Sequence, residues 1–337
     1  MMSAAVKKRK ERTLIVIGPE EVANRLGRQN CISLMREAMI RLSTGQSRQP
    51  LRNVIDLGNG DLFGVMPGVL DGAGFGAKLV SVFPSAAAHG RSHQGAILLF
   101  DRSTGAPTCL VDAGAVTAIR TACASAAATD ILARADAKRL AILGTGEQAW
   151  QHALAIPHVR ELEHIAIWGR SREKAQYLCE RIRQELAIST EVATSPRAAV
   201  ETADIICTTT SAQDPILFSA DVRDGAHVNV VGSSYAGPAE IDEMLVKRAR
   251  FFPDHREGVI AQGAEFLRAK AAGLVSEIDV LAEIGAVFAG ASEGRASEAD
   301  VTIYKSLGSI VQDLACAAFL HHTYTKGVDP KSTISEA

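Results

Sequence analysis

Three cations stand in segments that are otherwise apolar or built from small residues: Arg52 in "QPLRNVI", Lys78 in "GAKLV" and Arg120 in "TAIRTA". A buried cation is costly unless paired, so side chains placed in this way point to an anionic substrate. Lys78 and Arg120 have neighbours that read as buried. An exposed position also explains Arg52, because arginine is mostly a surface residue. The remaining chemistry-bearing types are dispersed. Six cysteines (Cys31, Cys109, Cys123, Cys179, Cys207 and Cys316) include no C-x-x-C, and the nine histidines show no metal-type spacing. Most of the cysteines lie among apolar neighbours and read as reduced core residues of a cytoplasmic protein. No metal site is expected.

A second constellation lies in "KRLAILGTGEQAWQHALAI" (Lys138 to Ile156). A short apolar run is followed by Gly144-Thr145-Gly146-Glu147-Gln148-Ala149 and then by apolar residues at helical spacing. This is G-x-G-x-x-A between a strand and a helix, the context a dinucleotide fingerprint requires. Gly144 makes the tight turn, Gly146 lets backbone approach a pyrophosphate, and Ala149 lets the helix pack closely on the strand. The helix N-terminus supplies N–H groups for the anion. A second strand, Ile165 to Trp168, follows after one helix, as a βαβ unit demands.

The end of that second strand decides which dinucleotide. An Asp or Glu there would accept hydrogen bonds from the ribose 2′-OH of NAD and repel a 2′-phosphate. This chain has Gly169-Arg170-Ser171-Arg172. Two guanidinium groups and a hydroxyl suit a phosphate, which planar arginine donors bind bidentately. NADP(H) is the expected cofactor and NAD(H) the alternative, since arginines in a solvated loop also satisfy the pattern. Thr208, Thr209 and Thr210 end a later strand on the cofactor side of such a sheet, and one of them is expected to touch the dinucleotide.

These residues need elements to hold them. From Lys138 onward strands alternate with helical or turn-rich segments ("LAILG", "IAIWG", "TEVA", "DIICTTT", "HVNVVGSS", "RFFPD"), which predicts a doubly wound parallel sheet of the α/β class. Before it, "LFGVMPGVL", "GFGAKLVSVFP", "GAILLFD" and "GAPTCLVD" are short apolar runs separated by Gly, Pro and Asp, the signature of a mixed or antiparallel sheet. "ISLMREAMIRL" is helical in period. An alanine-rich helix, Ala113 to Ala135, joins the two parts. After Val301 the chain reads as helical, too late to add a strand, and is expected to return to the first part. The expected domains are residues 1–130 with 305–337, and 131–304. His93 and Gln94 sit between two strands, where they either line a pocket or form a turn without function.

Composition is that of an ordinary globular enzyme. The 337 residues suffice for two domains, with 47% hydrophobic and 22% charged residues. A formal charge of −2 gives no case for nucleic acid or a membrane surface as partner. No apolar run reaches membrane-spanning length, and the N-terminal residues are basic and polar rather than signal-like. The Lys7-Lys8-Arg9-Lys10 cluster reads as a solvated terminus.

"GAKLVSVFP", "HQGAILLFDRSTGAPTCLVDAGAVTAIRTACASAAATDILAR", "LAILGTGEQA" and "TIYKSLGSIVQDLA" together resemble the ornithine cyclodeaminase/mu-crystallin family, in family order from about Arg52 to about Ala318. The resemblance implies an N-terminal domain that forms a homodimer through its sheet, a Rossmann domain for the nicotinamide cofactor, and hydride chemistry on C=N bonds of small amino-acid-like carboxylates. It implies that Arg52 and Arg120 bind the substrate carboxylate. It implies that Lys78 helps to hold that group and supplies a proton to the imine nitrogen. Lys305-Ser306 matches a family motif near the nicotinamide, though Ser306 also fits a helix start.

One departure bears on the reaction. In "VVGSSYAGPAEID" the resemblance places Ser234 where the cyclodeaminases carry an aspartate two residues after the glycine. A serine hydroxyl is no general base at neutral pH without an activating partner. The expectation is therefore NADPH-dependent reduction of a 2-imino acid such as 1-pyrroline-2-carboxylate or 1-piperideine-2-carboxylate. The alternatives are an ornithine cyclodeaminase, an alanine-type amino-acid dehydrogenase, and a non-catalytic NADPH- and ligand-binding protein like mu-crystallin.

Overall fold

The computed structural model describes residues 14–83, 85–86 and 93–327. The Lys7-Lys8-Arg9-Lys10 cluster lies outside them, as does the side chain of His93. The described residues begin with β1 (Ile15–Ile17), α1 (Pro19–Arg25) and α2 (Arg28–Ser43). It continues through β2 (Ser47–Arg48), β3 (Asn53–Gly58), β4 (Asp61–Leu70), β5 (Gly74–Val82), β6 (His93–Phe100) and β7 (Pro107–Asp112). These strands form one sheet in the order β1-β7-β6-β5-β4-β2, with β3 also on β4. β1 runs parallel to β7 and the other pairings are antiparallel. The sheet is mixed, as the short Gly- and Pro-punctuated runs predict.

The chain passes directly from β7 into α3 (Ala113–Leu132), whose N-terminus is capped by Asp112 accepting from the Ala115 N–H at 2.7 Å. Alanine gives up no side-chain entropy in a helix, and its small size lets neighbours approach from every side. α3 is accordingly buried around most of its circumference, between α2, α4 and α11.

The second part comprises β8 (Arg139–Leu143), α4 (Glu147–Ala155), β9 (His164–Trp168), α5 (Arg172–Leu186), β10 (Ser189–Val192), α6 (Pro196–Val200), β11 (Ile205–Thr208), β12 (His227–Val230), α7 (Glu243–Arg248), β13 (Arg250–Pro253), α8 (Arg256–Gln262), α9 (Ala264–Ala271), α10 (Ile284–Phe288) and β14 (Thr302–Lys305), and α11 (Ile310–Lys326) follows it. Its strands are all parallel, in the order β10-β9-β8-β11-β12-β14-β13. This is a doubly wound Rossmann sheet, and its order reverses between β8 and β11, where a crevice opens at the carboxyl ends of the strands.

The segment after Val301 departs from expectation. Thr302–Lys305 is not helical. It inserts between β12 and β13 as a fully buried strand. A segment of only four residues carries no period that separates strand from helix, so its state was decided by the slot between two strands already formed. Only then does α11 cross to the first sheet, where it packs on β4, β5 and β6 beside α2 and α3.

Residues directly opposite in a ladder share a face. Lys78 pairs with Ile97, both buried on the face that the helices cover. Val65 with Leu79, Ala77 with Leu98 and Phe75 with Phe100 lie on the other face. That face is half-exposed and apolar, with the rings of Phe75 and Phe100 stacked at 5.2 Å.

Candidate active site

β5, α3 and α11 converge on one buried carboxylate. Asp313, in the first turn of α11, is fully buried. Its Oδ1 accepts from Arg120 Nε at 3.1 Å and lies 3.4 Å from Lys78 Nζ. The adjacent Gln312 takes a second donor of Arg120, Nη1 to Oε1, at 2.7 Å. Lys78 Nζ also donates to Thr117 Oγ1 at 2.6 Å, one helical turn before Arg120. Burial pushes the Lys78 ammonium down to about 8; Asp313 opposes the shift, and Arg120 and Arg52 add to it.

Arg52 is half-buried and donates through Nη2 to the carbonyls of Leu307 and Gly308. Gly308 has φ of +83°, and a β-carbon on it would stand 3.0 Å from Arg120 Nη2. The loop between β14 and α11 thus passes between the two arginines, and only glycine fits at that point. Asp254, which follows β13, accepts from the Leu307 and Gly308 N–H groups at 2.8 and 2.6 Å and holds the same loop. Burial raises the Asp254 carboxyl, and Arg52 opposes that rise. Three cations with two carboxylates leave one positive charge in a largely desolvated space, which suits one substrate carboxylate.

The fingerprint builds the neighbouring crevice. Gly144 sits at φ +136° after β8, and a β-carbon there would meet Thr209 Oγ1 at 2.4 Å. Gly146 faces open space and has no side chain to cap α4, so the first N–H groups of that helix remain available to an anion. Ala149 is buried under the helix, while Thr145 packs against Gly169. Arg170 and Arg172 are exposed, and Ser171 uses its hydroxyl to cap α5 from the Lys174 N–H at 3.2 Å. A dinucleotide pyrophosphate fits this turn. Glu147 is exposed and accepts from Gln151. Gln148 spans the two halves of the site: its Nε2 lies 3.5 Å from the Thr117 and Ala118 carbonyls, and its Oε1 is buried without a partner. Thr117 therefore touches Lys78 on one side and the cofactor turn on the other.

Other candidates fall elsewhere. Thr208 is fully buried and gives its hydroxyl to Glu240 at 2.7 Å, so Thr209 rather than Thr208 closes on Gly144. Lys305 is sealed inside the sheet, with Nζ 2.7 Å from Glu265 Oε2 and from both oxygens of Ser233. It does not reach the crevice directly; it anchors the loop that carries Ser234. Ser234 is half-buried beside that anchor. Ser306 does not start the last helix, because Ser309 is its N-cap. Gln94 is exposed in β6. Sequence reasoning missed Asp313, Gln312 and Thr117. An aspartate within the apolar "SIVQDLA" was the available signal.

Residues 14–327 match the sequence profile of the ornithine cyclodeaminase/mu-crystallin family. The Delta(1)-pyrroline-2-carboxylate reductase of Bacillus cereus is 32% identical over 312 residues, 91% of this chain and 96% of its own. The ketimine reductase mu-crystallin of Mus musculus is 32% identical over 289 residues, 84% and 87% of the two chains. Among solved structures, Thermococcus litoralis Delta(1)-pyrroline-2-carboxylate reductase in complex with NADH and L-proline has a TM-score of 0.90 at 28% identity, covering 94% of this chain and 99% of that one.

Proposed function

We propose, since this chain belongs to the ornithine cyclodeaminase/mu-crystallin family, that it reduces the C=N bond of a small 2-imino acid with NADPH, 1-pyrroline-2-carboxylate and 1-piperideine-2-carboxylate being the model substrates. The observation that carries this reading is the cation cluster of Lys78, Arg120 and Arg52, joined through Thr117 and Gln148 to the dinucleotide turn. The relatives named above are reductases of this bond, one of them holding L-proline.

A reduced nicotinamide, when bound at the Gly144 turn, would supply hydride chemistry for the imine carbon. The chain's own residues do the rest. Arg120 and Arg52 hold the substrate carboxylate, and the one uncompensated positive charge offsets its desolvation. The Lys78 ammonium gives one proton to the imine nitrogen, so the product is the neutralised amine of an amino acid. A donor near pH 8 is mostly protonated at neutral pH and still acidic enough to transfer. Ser234 offers a hydroxyl where cyclodeamination needs an acid, which favours the reductase. Exposed Arg170 and Arg172 support NADPH over NADH. The half-exposed apolar face of the first sheet, extended by exposed Ile55 on β3, supports a homodimer. Buried free cysteines support a cytoplasmic setting.

The test is a panel of cyclic and acyclic 2-imino acids, with loss of reduced nicotinamide followed for NADPH and NADH. Turnover of at least one imino acid, faster with NADPH, is expected. Efficient release of ammonia and proline from ornithine, with no imine reduction, would return the protein to the cyclodeaminases.

A further inference from the structure

We propose that Asp313 is a positioning residue of this site: one buried carboxylate that sets the guanidinium of Arg120 and keeps the Lys78 ammonium charged between turnovers. The proposal rests on the reductase reading for its purpose, but its test does not.

The geometry separates two tasks. Towards Arg120, Asp313 forms a close, directional contact at 3.1 Å, and with Gln312 it fixes both the Nε and Nη1 edges of the guanidinium. Nη2 is left for a ligand. Towards Lys78 the contacts are long, 3.4 and 3.5 Å to the two oxygens. The short bond of Lys78 goes to the neutral Thr117 hydroxyl instead. At that range the carboxylate acts mainly through charge, which favours the protonated amine without clamping its remaining N–H. A lysine that must release a proton and regain it is served by such an arrangement.

Among the described residues, the other charged groups that act most on Lys78, Arg120 and Arg52, work the opposite way. Its cross-strand partners on β4 and β6 are Met66 and Ile97, both uncharged. α3 brings Thr117 and the cation Arg120, and the segment before β3 brings the cation Arg52. Asp254 faces Arg52 rather than Lys78. Asp313 on α11 is thus the acid that counters burial and two neighbouring positive charges. No neutral side chain of the same shape would do this.

The experiment reads the proton on Lys78 directly. The full-length protein is labelled with trace acetic anhydride across neutral to alkaline pH, and acetylation of Lys78 is quantified by peptide mass spectrometry, without substrate or cofactor. The wild type should titrate at about 8. Asp313→Asn should move the midpoint down by about one pH unit or more, the usual effect of removing an opposite charge at this distance. Asp313→Glu, which keeps the charge, should stay within about half a unit of wild type by the same argument. In imine reduction the alkaline limb of kcat should follow these midpoints, while KM rises in both variants as Arg120 loosens. A wild-type midpoint in Asp313→Asn would overturn the proposal and leave Asp313 a packing residue. Should that variant fail to fold, the charge-balanced pair decides: the midpoint in Arg120→Met/Asp313→Asn should lie about one pH unit or more below that in Arg120→Met alone, and equal midpoints overturn the proposal. Absent imine reduction in the wild type, with the labelling shifts intact, would instead refute the reductase reading alone.

Discussion

Thr209 closes over Gly144 so tightly that a single added carbon has no room: it would stand 2.4 Å from Thr209 Oγ1 and 2.8 Å from the Thr209 carbonyl. The contact joins the end of β8 to the end of β11 at the point where strand order reverses. The floor of the dinucleotide crevice is therefore set by two backbones in contact.

Gly144→Ala should accordingly damage cofactor binding and stability together. The φ of +136° is one that residues with a β-carbon rarely adopt, and such strain costs about 1–3 kcal/mol before any clash is counted. Calorimetric titration should show at least roughly tenfold weaker cofactor binding, and thermal unfolding a lower midpoint. Wild-type affinity in this variant would show slack in the turn.

Lys305 and Glu265 are both fully sealed, 2.7 Å apart. Lys305→Met leaves a buried carboxylate unpaired, which costs about 3–5 kcal/mol. The double variant Lys305→Met/Glu265→Leu should recover much of that loss, because it removes both charges. Urea unfolding of the two proteins checks the order. A single variant as stable as the double would mean that Glu265 finds another partner.

Cofactor choice should turn on the loop after β9. Arg170→Asp places a negative charge where the 2′-phosphate is proposed to bind, and losing one charge-assisted contact amounts to roughly ten- to a hundredfold in NADPH affinity. NADH binding should hold or improve. Equal affinity of the wild type for both cofactors would remove the phosphate-binding role of Arg170.

Two buried histidines make the fold sensitive to acid. Burial lowers His152 to about 4 and His227 to about 3, from an ordinary 6.5. Between those values the unfolded chain binds more protons, so the neutral rings favour folding above pH 6.5 and that contribution is lost as pH falls towards the folded values. Buried Glu240 and Asp254 are shifted upward and act in the opposite sense. The cleaner readout is therefore a difference: the stability gap between wild type and His227→Asn should shrink by about 2 kcal/mol from neutral pH to about pH 5. A constant gap would mean that His227 does not titrate on unfolding.

Assembly should depend on the apolar face of the first sheet. Ile55, 52% exposed on β3, and Leu79, 40% exposed on β5, lie on the face opposite α11. Ile55→Asp combined with Leu79→Asp should give a monomer by light scattering at micromolar concentration, where a dimer is expected of the wild type. A dimer that survives both charges would place the interface elsewhere.

The sequence by itself determined what local chemistry can determine. Gly144, Gly146 and Ala149 were legible because a tight turn, a close backbone approach and a close helix each demand a small residue at a set spacing. Lys78 and Arg120 were legible because a cation among apolar neighbours needs an anion. Tertiary structure decided the rest. Asp313 meets Arg120 across 193 positions, and no period in the sequence encodes a contact of that span. β14 became a strand because β12 and β13 left a slot for it, its own four residues being equally compatible with the helix that follows. Lys305 and Thr208 lie at strand ends where a cofactor would pass, yet their side chains turn inward to Glu265 and Glu240. Which way a side chain faces at the end of a buried strand is settled by the partners it meets there, and those partners come from distant parts of the chain.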